Sequence, residues 1–451
     1  MPENASGPGR GAAYRKTIDA WCMYDWANSA FVTTIVAALF PPFYRSLAAQ
    51  AGIAANKATA YWGYTTSLAL LIAALLAPLC GAVADHTGGK KQFMGVFAGL
   101  GILATASFVF LGDGAWPAAS VVFIVAYVGF AGANVFYESL LPHIARKGDI
   151  DRVSTRGYAL GYVGGGILLA VNVLWIMHPR WFGMGDVALA LRAAFLSVAG
   201  WWALFSLPFF RRVPEPPVHR DRLDLDGGSI AAGFARLART FGEIRRYKQL
   251  LVFLVAFWIY NDGIGTIIKM ATAYGDEIGI GVADMTMALV MTQFVGIPCS
   301  FLFGSLAGRI GAKRAVLLGL VVYTMIAVAG YFMKTALHFY ILAFMVGTVQ
   351  GGSQALSRSL YGAMVPKHKS AEFFGFFSTS AKFAGIVGPL LFGLVSELTG
   401  ASRLSILSVV SFFFIGGLIL TQVDVEEGVR MVGEVENERR SQTVRSGRLT
   451  M

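Results

Sequence analysis

Gly81-Ala82-Val83-Ala84-Asp85-His86-Thr87-Gly88-Gly89-Lys90-Lys91 returns later in the chain as Gly304-Ser305-Leu306-Ala307-Gly308-Arg309-Ile310-Gly311-Ala312-Lys313-Arg314, aligned without a gap. Each copy joins two apolar runs long enough to cross a bilayer. The glycines permit a tight turn between helices with close backbone approach. The paired basic residues suit the headgroups of the inner leaflet, where anionic lipid favours them. A second echo links Gly157-Tyr158 with Gly375-Phe376. These repeats describe a duplicated set of membrane helices.

Composition agrees. The 451 residues are 56% hydrophobic and 14% charged, against about 25% charged in soluble proteins. A span needs roughly 20 apolar residues to cross about 30 Å of hydrocarbon. Twelve such runs are expected, over 18–44, 58–84, 92–112, 117–141, 157–178, 190–210, 249–275, 283–308, 315–334, 337–362, 373–398 and 402–422. The fold class expected is an all-α membrane protein, with twelve transmembrane helices in two pseudo-symmetric six-helix bundles. A cytoplasmic tail at 1–17 precedes the first bundle at 18–210. A linker at 211–248 leads to the second at 249–422, followed by a cytoplasmic tail at 423–451.

The start of the chain is polar and lacks the apolar core of a signal peptide, so no cleaved targeting segment is expected. Pro214, Pro216 and Pro217 mark a helix stop and an extended link. Beyond them Ile230, Phe234, Leu237, Phe241 and Ile244 recur at helical spacing among Arg236, Arg239, Arg245 and Arg246. This suits a basic amphipathic helix on the inner leaflet; a solvated tether is the alternative. The tail after Gln422 is charged and is expected to be disordered.

The net charge of +11 reflects topology rather than nucleic acid, which is not an expected partner. The outer loops hold only Arg45, Lys57, Arg180, Arg192, Lys334 and Arg403 of the 37 Lys and Arg, and Lys269, Arg358 and Lys382 fall within spans. The remainder lie on the other side, which places both termini in the cytoplasm. Short loops favour a bacterial inner membrane. Cys22, Cys80 and Cys299 lie in different spans and suggest no metal or redox pair. The six histidines sit at loops or span ends without metal spacing. No phosphate-binding glycine loop followed by lysine is present. No cofactor, no metal and no enzymatic activity are therefore expected, and a gradient must supply the energy of any active transport. Duplication across a central loop is typical of secondary transporters.

The pattern Gly-x-x-x-Asp-x-x-Gly-x-Lys/Arg-Lys/Arg resembles the cytoplasmic signature loop of the major facilitator superfamily. The second copy carries Gly308 where that aspartate would stand. The resemblance makes Asp85, Gly88, Lys90, Lys91, Gly311, Lys313 and Arg314 candidates for a cytoplasmic gate. Four further segments are similar to the vacuole-effluxer-like branch. They are Tyr24-Asp25-Trp26-Ala27-Asn28-Ser29-Ala30-Phe31, Phe136-Tyr137-Glu138-Ser139-Leu140-Leu141-Pro142, Tyr260-Asn261-Asp262-Gly263, and Gln354-Ala355-Leu356-Ser357-Arg358-Ser359 with Glu372-Phe373-Phe374-Gly375-Phe376. Fungal members of that branch release amino acids from the vacuole during autophagy. The resemblance implies export of a small solute and a central cavity lined by spans 1, 4, 7 and 10.

Asp25, Glu138, Asp262, Lys269, Arg358 and Lys382 are the ionisable residues within the spans. A charge in hydrocarbon costs at least about 2.5 kcal/mol, and such groups usually line a pathway. Helical spacing groups Asp25 with Asn28 and Ser29, and Asp262 with Thr266 and Lys269. It also groups Gln350 and Gln354 with Ser357, Arg358 and Tyr361, and Ser378 with Lys382. Each stripe should face the bundle interior. Asn134 and Glu138 serve span 4. The substrate or coupling candidates are Asp25, Asn28, Glu138, Asp262, Gln354, Arg358 and Lys382. Lys382, with Arg358 as helper, would attract a carboxylate; Asp25 and Asp262 would take an amino group or a coupling proton, with Asp25 the first choice for the proton.

The expected protein is a monomeric secondary transporter of an amino acid or related zwitterion, with membrane lipid and protons as its other partners. Two alternatives stay open: an exporter of drugs or other organic cations, and a non-transporting receptor or scaffold. Gly157, Gly161 and Gly165, and Gly347 with Gly351, have the small-xxx-small spacing that lets helices approach closely.

Overall fold

The computed structural model describes residues 8–53, 55–146, 148–216, 242–384, 387–388, 391, 395 and 402–448, and among them there is no strand. Helix α1 (Pro8–Ala30) passes into a π-helical stretch (Phe31–Leu39) and then α2 (Phe40–Gln50). There follow α3 (Ala55–Thr87), α4 (Lys90–Ser107), α5 (Trp116–Ile144), α6 (Ile150–Met177), α7 (Val187–Arg212), α8 (Lys248–Glu277), α9 (Val282–Ile310), α10 (Ala312–Tyr331), α11 (Ala336–Ala363), α12 (Ser370–Ala384), α13 (Ser402–Thr421) and α14 (Val425–Arg448).

Among the described residues, nine helices are long and apolar enough to cross a membrane. They cover the expected spans 1, 3 to 9 and 12. The other three expected spans fall on α3, α11 and α12. At 28 residues α11 would reach about 42 Å, but the polar stripe from Gln350 to Arg358 lowers its mean hydropathy. The repeated turns form as the glycines foretold: Gly88 has φ +74° and Gly311 φ +89°, a conformation that a Cβ opposes.

The π-helical stretch has a local cause. Pro41 and Pro42 stand just beyond it, after Phe40; they supply no N–H, and their rings crowd the carbonyls four residues back. The Phe40 N–H reaches Ile35 O instead, a five-residue step. The first span is therefore not the uniform α-helix that periodicity suggests.

The chain forms two compact units. The first comprises Met1–Leu76, Gly89–Tyr137 and Arg156–Pro216; the second comprises Ala77–Gly88, Glu138–Thr155 and Pro217–Met451. In the first, Phe40 lies among Phe108 and Phe123, at ring-centroid distances of 4.4 and 5.0 Å. In the second, Phe377 stacks on both Phe257 and Tyr361, each at 4.4 Å. The expected interfacial helix in the linker falls mostly outside the described residues. Its last apolar position, Ile244, is fully buried in the second unit's core, and Glu243 pairs with Lys369 at 2.6 Å.

The C-terminal segment corrects the expectation of disorder. Asp424 caps α14 by accepting the Glu427 N–H at 2.9 Å. The Gln249 side chain accepts the Asp424 N–H at 2.8 Å and donates to Glu427. Glu436 accepts the Lys367 N–H at 2.9 Å. Val425 and Val429 pack on the core of the second unit. Polar composition alone gives no warning of this, because the helix is ordered by partners far away in sequence. Gln249→Ala should speed amide exchange across Val425–Glu436 by about tenfold or more, since hydrogen bonds to charged groups contribute roughly 1.5–3 kcal/mol; unchanged exchange would mean that Gln249 does not hold the helix.

Candidate functional site

In the first unit the polar residues of α1 meet those of α5. Tyr137 Oη donates to Asp25 Oδ2 at 2.8 Å. Asn28 Nδ2 donates to Asn134 Oδ1 at 2.6 Å. Asn134 and Tyr137 stand three residues apart on one face of α5, matching Asp25 and Asn28 on α1, so both pairs close at one helix crossing. Asp25 is half-buried and Asn28 buried. Trp21 Nε1 donates to Tyr137 O at 3.1 Å, and the Trp21 and Tyr137 rings stack at 4.3 Å.

Glycines bring α6 against the other side of α1. A Cβ at Gly161 would lie 2.5 Å from Ser29 Oγ and 3.3 Å from Asp25 O, and one at Gly165 2.9 Å from Thr33 Oγ1. Small residues at this spacing thus set how closely the helix behind Asp25 approaches. In the second unit Gly347 does the same, its Cβ direction 3.0 Å from Thr292 O on α9.

The second unit buries the other acid. Asp262 and Thr266 are 2% and 1% exposed, and Thr266 Oγ1 donates to Asp262 O at 2.7 Å. A Cβ added at Gly388 would lie 2.8 Å from Asp262 Oδ1, so the carboxylate stands against backbone. Two residues earlier, Tyr260 Oη and Ser357 Oγ are 2.6 Å apart. The first helix of each half is therefore hydrogen-bonded through side chains to the fourth: α1 to α5 and α8 to α11.

Arg358 is 2% exposed. Its Nε donates to Ser154 Oγ and its Nη2 to Ser154 O, both at 2.9 Å. Ser154 Oγ donates to Ala355 O at 2.7 Å, and Ser359 donates to Asp151. His143 Nε2 and Ser370 Oγ are 3.0 Å apart. The segment Glu138–Thr155 is thus sewn to α11 and α12 within the second unit. Of the residues that make these bonds, Asp151, Ser154 and Ser370 had no signal in the sequence, because each is an ordinary residue near a helix start until the fold pairs it. Gln354 and Glu138 are half-buried. The side chains of Lys382, Lys269 and Asp85 lie outside the described residues.

Two of the gate candidates on the repeated loops, Lys91 and Lys313, make bonds within their own half. Lys91 Nζ donates to Phe210 O at 3.0 Å and Val213 O at 2.5 Å. Lys313 Nζ donates to Thr421 O at 3.0 Å and Val423 O at 2.8 Å. In each half one lysine from the loop caps the carbonyl end of the last helix, where a cation also complements the helix dipole. The two lysines are not equivalent in the gapless alignment, which pairs Lys91 with Arg314. Glu215 accepts the Lys91 N–H at 3.1 Å. Burial raises its carboxyl from its ordinary value, against the opposing pull of the N–H groups and charges of Lys91 and Lys90. Lys90 is buried, Arg314 exposed. Lys91→Ala or Lys313→Ala should each cost about 1–3 kcal/mol, the usual loss of a charge-assisted bond, seen as a lower thermal midpoint in detergent; a midpoint equal to that of the unsubstituted protein would rule out the capping role.

Among the described residues no group of His, Cys, Asp and Glu could hold a metal ion.

Residues 13–433 match the model of a family described as "Vacuole effluxer Atg22 like". An uncharacterized MFS-type transporter of Bacillus subtilis (strain 168), YxiO, is 39% identical over 415 residues, covering 92% of this chain and 96% of that protein. Autophagy-related protein 22 of Eremothecium gossypii is 24% identical, covering 95% and 93%. Among solved structures, the proton:xylose symporter XylE superposes with a TM-score of 0.70 at 13% identity, covering 92% of this chain and 96% of that one. The E. coli fucose:proton symporter FucP gives 0.67 at 14%, covering 91% and 98%. These two likenesses show the major facilitator fold.

Proposed function

The chain belongs to the Atg22-like effluxer family of major facilitator transporters, and from that premise we propose that it moves an amino acid or related zwitterion by alternating access, coupled to protons through Asp25. The observation that carries this reading is the pair of acids on the first helix of each half: Asp25 bonded to Tyr137, and Asp262 buried against Gly388. An acid kept in hydrocarbon at such cost is usually part of a pathway.

On this reading the halves at 18–210 and 249–422 rock about a site near the midplane. Asp262 receives the substrate amino group and Lys382 its carboxylate, with Asn28 and Gln354 as neutral donors. Arg358, held by Ser154, locks the cytoplasmic side together with Glu138, while the loop residues Asp85, Gly88, Lys90 and Gly311 shape that side. The Atg22 relatives and the amphoteric set of intramembrane residues support a zwitterion over an organic cation. The protein would lie in a bacterial inner membrane with both termini inside.

The test uses purified protein in liposomes with an imposed pH gradient and an amino-acid panel read by mass spectrometry. Accumulation of at least one amino acid that collapses with a protonophore is the expected result. Accumulation of cationic drugs alone would replace this reading with the exporter, and no flux of either class would leave a receptor.

A further inference from the structure

The aromatic setting of Tyr137 is more elaborate than one helix contact requires. Its side chain is 1% exposed. Trp21 stacks on the ring at 4.3 Å and 14°, Tyr24 lies at 4.9 Å and Phe209 at 6.2 Å. The backbone is fixed as well, because Trp21 Nε1 donates to Tyr137 O. Trp21 and Asp25 are four residues apart on α1, so one helix face supplies both the plate that holds the ring and the carboxylate that receives its hydroxyl. A ring clamped at such distances cannot turn freely, and its O–H stays aimed at Asp25 Oδ2, 2.8 Å away.

We propose that Tyr137 is the positioning residue of the coupling carboxylate: it holds Asp25 in one rotamer and offers its hydroxyl to the charged form. The inference rests on the reading of Asp25 as the proton carrier. A bond between a phenol and a carboxylate is among the stronger ones in a protein, because the acceptor is charged. When Asp25 takes a proton, that bond loses its charge assistance, and the contact between α1 and α5 weakens. Tyr137 would thereby report the protonation of Asp25 to the helix that carries it. No other step is assigned to it, and no covalent change is involved.

Tyr137→Phe keeps the stacked ring and removes only the hydroxyl. In liposomes, with the amino acid that the unsubstituted protein accumulates most, the ratio of gradient-driven uptake to equilibrium exchange should fall about tenfold, the scale of a lost bond to a charge. A purely structural role would lower both rates together and leave their ratio alone, which would overturn the proposal. Asp25→Asn separates this failure from that of the coupling reading. If Asp25→Asn lowers the ratio and Tyr137→Phe does not, only the positioning role is lost; if Asp25→Asn leaves it intact, the coupling reading itself is wrong. A ligand-free arm uses the thermal midpoints of Asp25→Asn, Tyr137→Phe and the double variant in nanodiscs. Non-additive midpoints are expected for groups in direct contact, and strict additivity would overturn the proposal whatever the transport assays give.

Discussion

Asp25→Asn should remove gradient-driven accumulation while leaving a folded protein that still binds and exchanges substrate, at a reduced rate. Asparagine has the volume of aspartate and keeps a carbonyl oxygen for the Tyr137 hydroxyl, now 2.8 Å from Asp25 Oδ2. It cannot take up or release a proton. With one proton per substrate, a pH difference of one unit supplies about 1.4 kcal/mol, enough for about tenfold accumulation. The expected change is from that ratio to no accumulation above the level of protein-free liposomes. Exchange of labelled for unlabelled substrate needs no net proton movement, so it should survive in part. Accumulation by Asp25→Asn at the level of the unsubstituted protein would exclude Asp25 as the carrier and turn attention to Asp262. Loss of accumulation and exchange together, in a protein with a normal thermal midpoint, would make Asp25 a substrate ligand.

The largest effect on stability is expected at Gly129. There α5 crosses α4 backbone to backbone. A Cβ at Gly129 would lie 2.6 Å from Gly101 Cα and 2.7 Å from Phe97 O. Neither atom can swing aside as the end of a side chain can. Gly129→Val must push two helices apart, at a cost at or above the roughly 3 kcal/mol that marks severe overpacking. A protein with a stability of about 5–15 kcal/mol loses much of its margin. The control is Gly99→Ala, two residues before Gly101 on α4, where an added Cβ meets nothing within 4 Å. That change should be neutral or stabilise by up to about 1 kcal/mol, through the helix preference of alanine over glycine. Size-exclusion profiles and thermal midpoints in detergent decide the matter. Equal behaviour of the two variants would show that the crossing does not depend on Gly129.

Much of the architecture was legible. Runs of apolar residues located the spans, and the repeated turns supplied the glycines that take positive φ at Gly88 and Gly311. The face shared by Asp25 and Asn28 was also legible: three residues apart, they do meet the same helix, α5, whereas Ser29, grouped with them by spacing, meets α6 on the other side of α1. The partners of Asp25 and Asn28 were not legible. Tyr137 and Asn134 were visible only as parts of a motif or stripe. The bond from Arg358 to Ser154 joins residues 204 positions apart. The helix over Val425–Arg448 was misjudged from its charge, since Gln249 and Lys367 order it from elsewhere in the chain.

The sequence alone determined the all-helical membrane fold and the apolar runs that build it. Those properties follow from transfer free energy and the 3.6-residue period, and both are set by residues close together in the chain. The tertiary structure alone decided that Asp25 answers to Tyr137, that Ser154 holds Arg358, and that Lys91 and Lys313 do the same work from unaligned positions. Such pairings depend on the rotation and depth of one helix against another, to within a fraction of a turn. Contacts such as those at Gly161 and Gly129 set that register, and no local pattern encodes it.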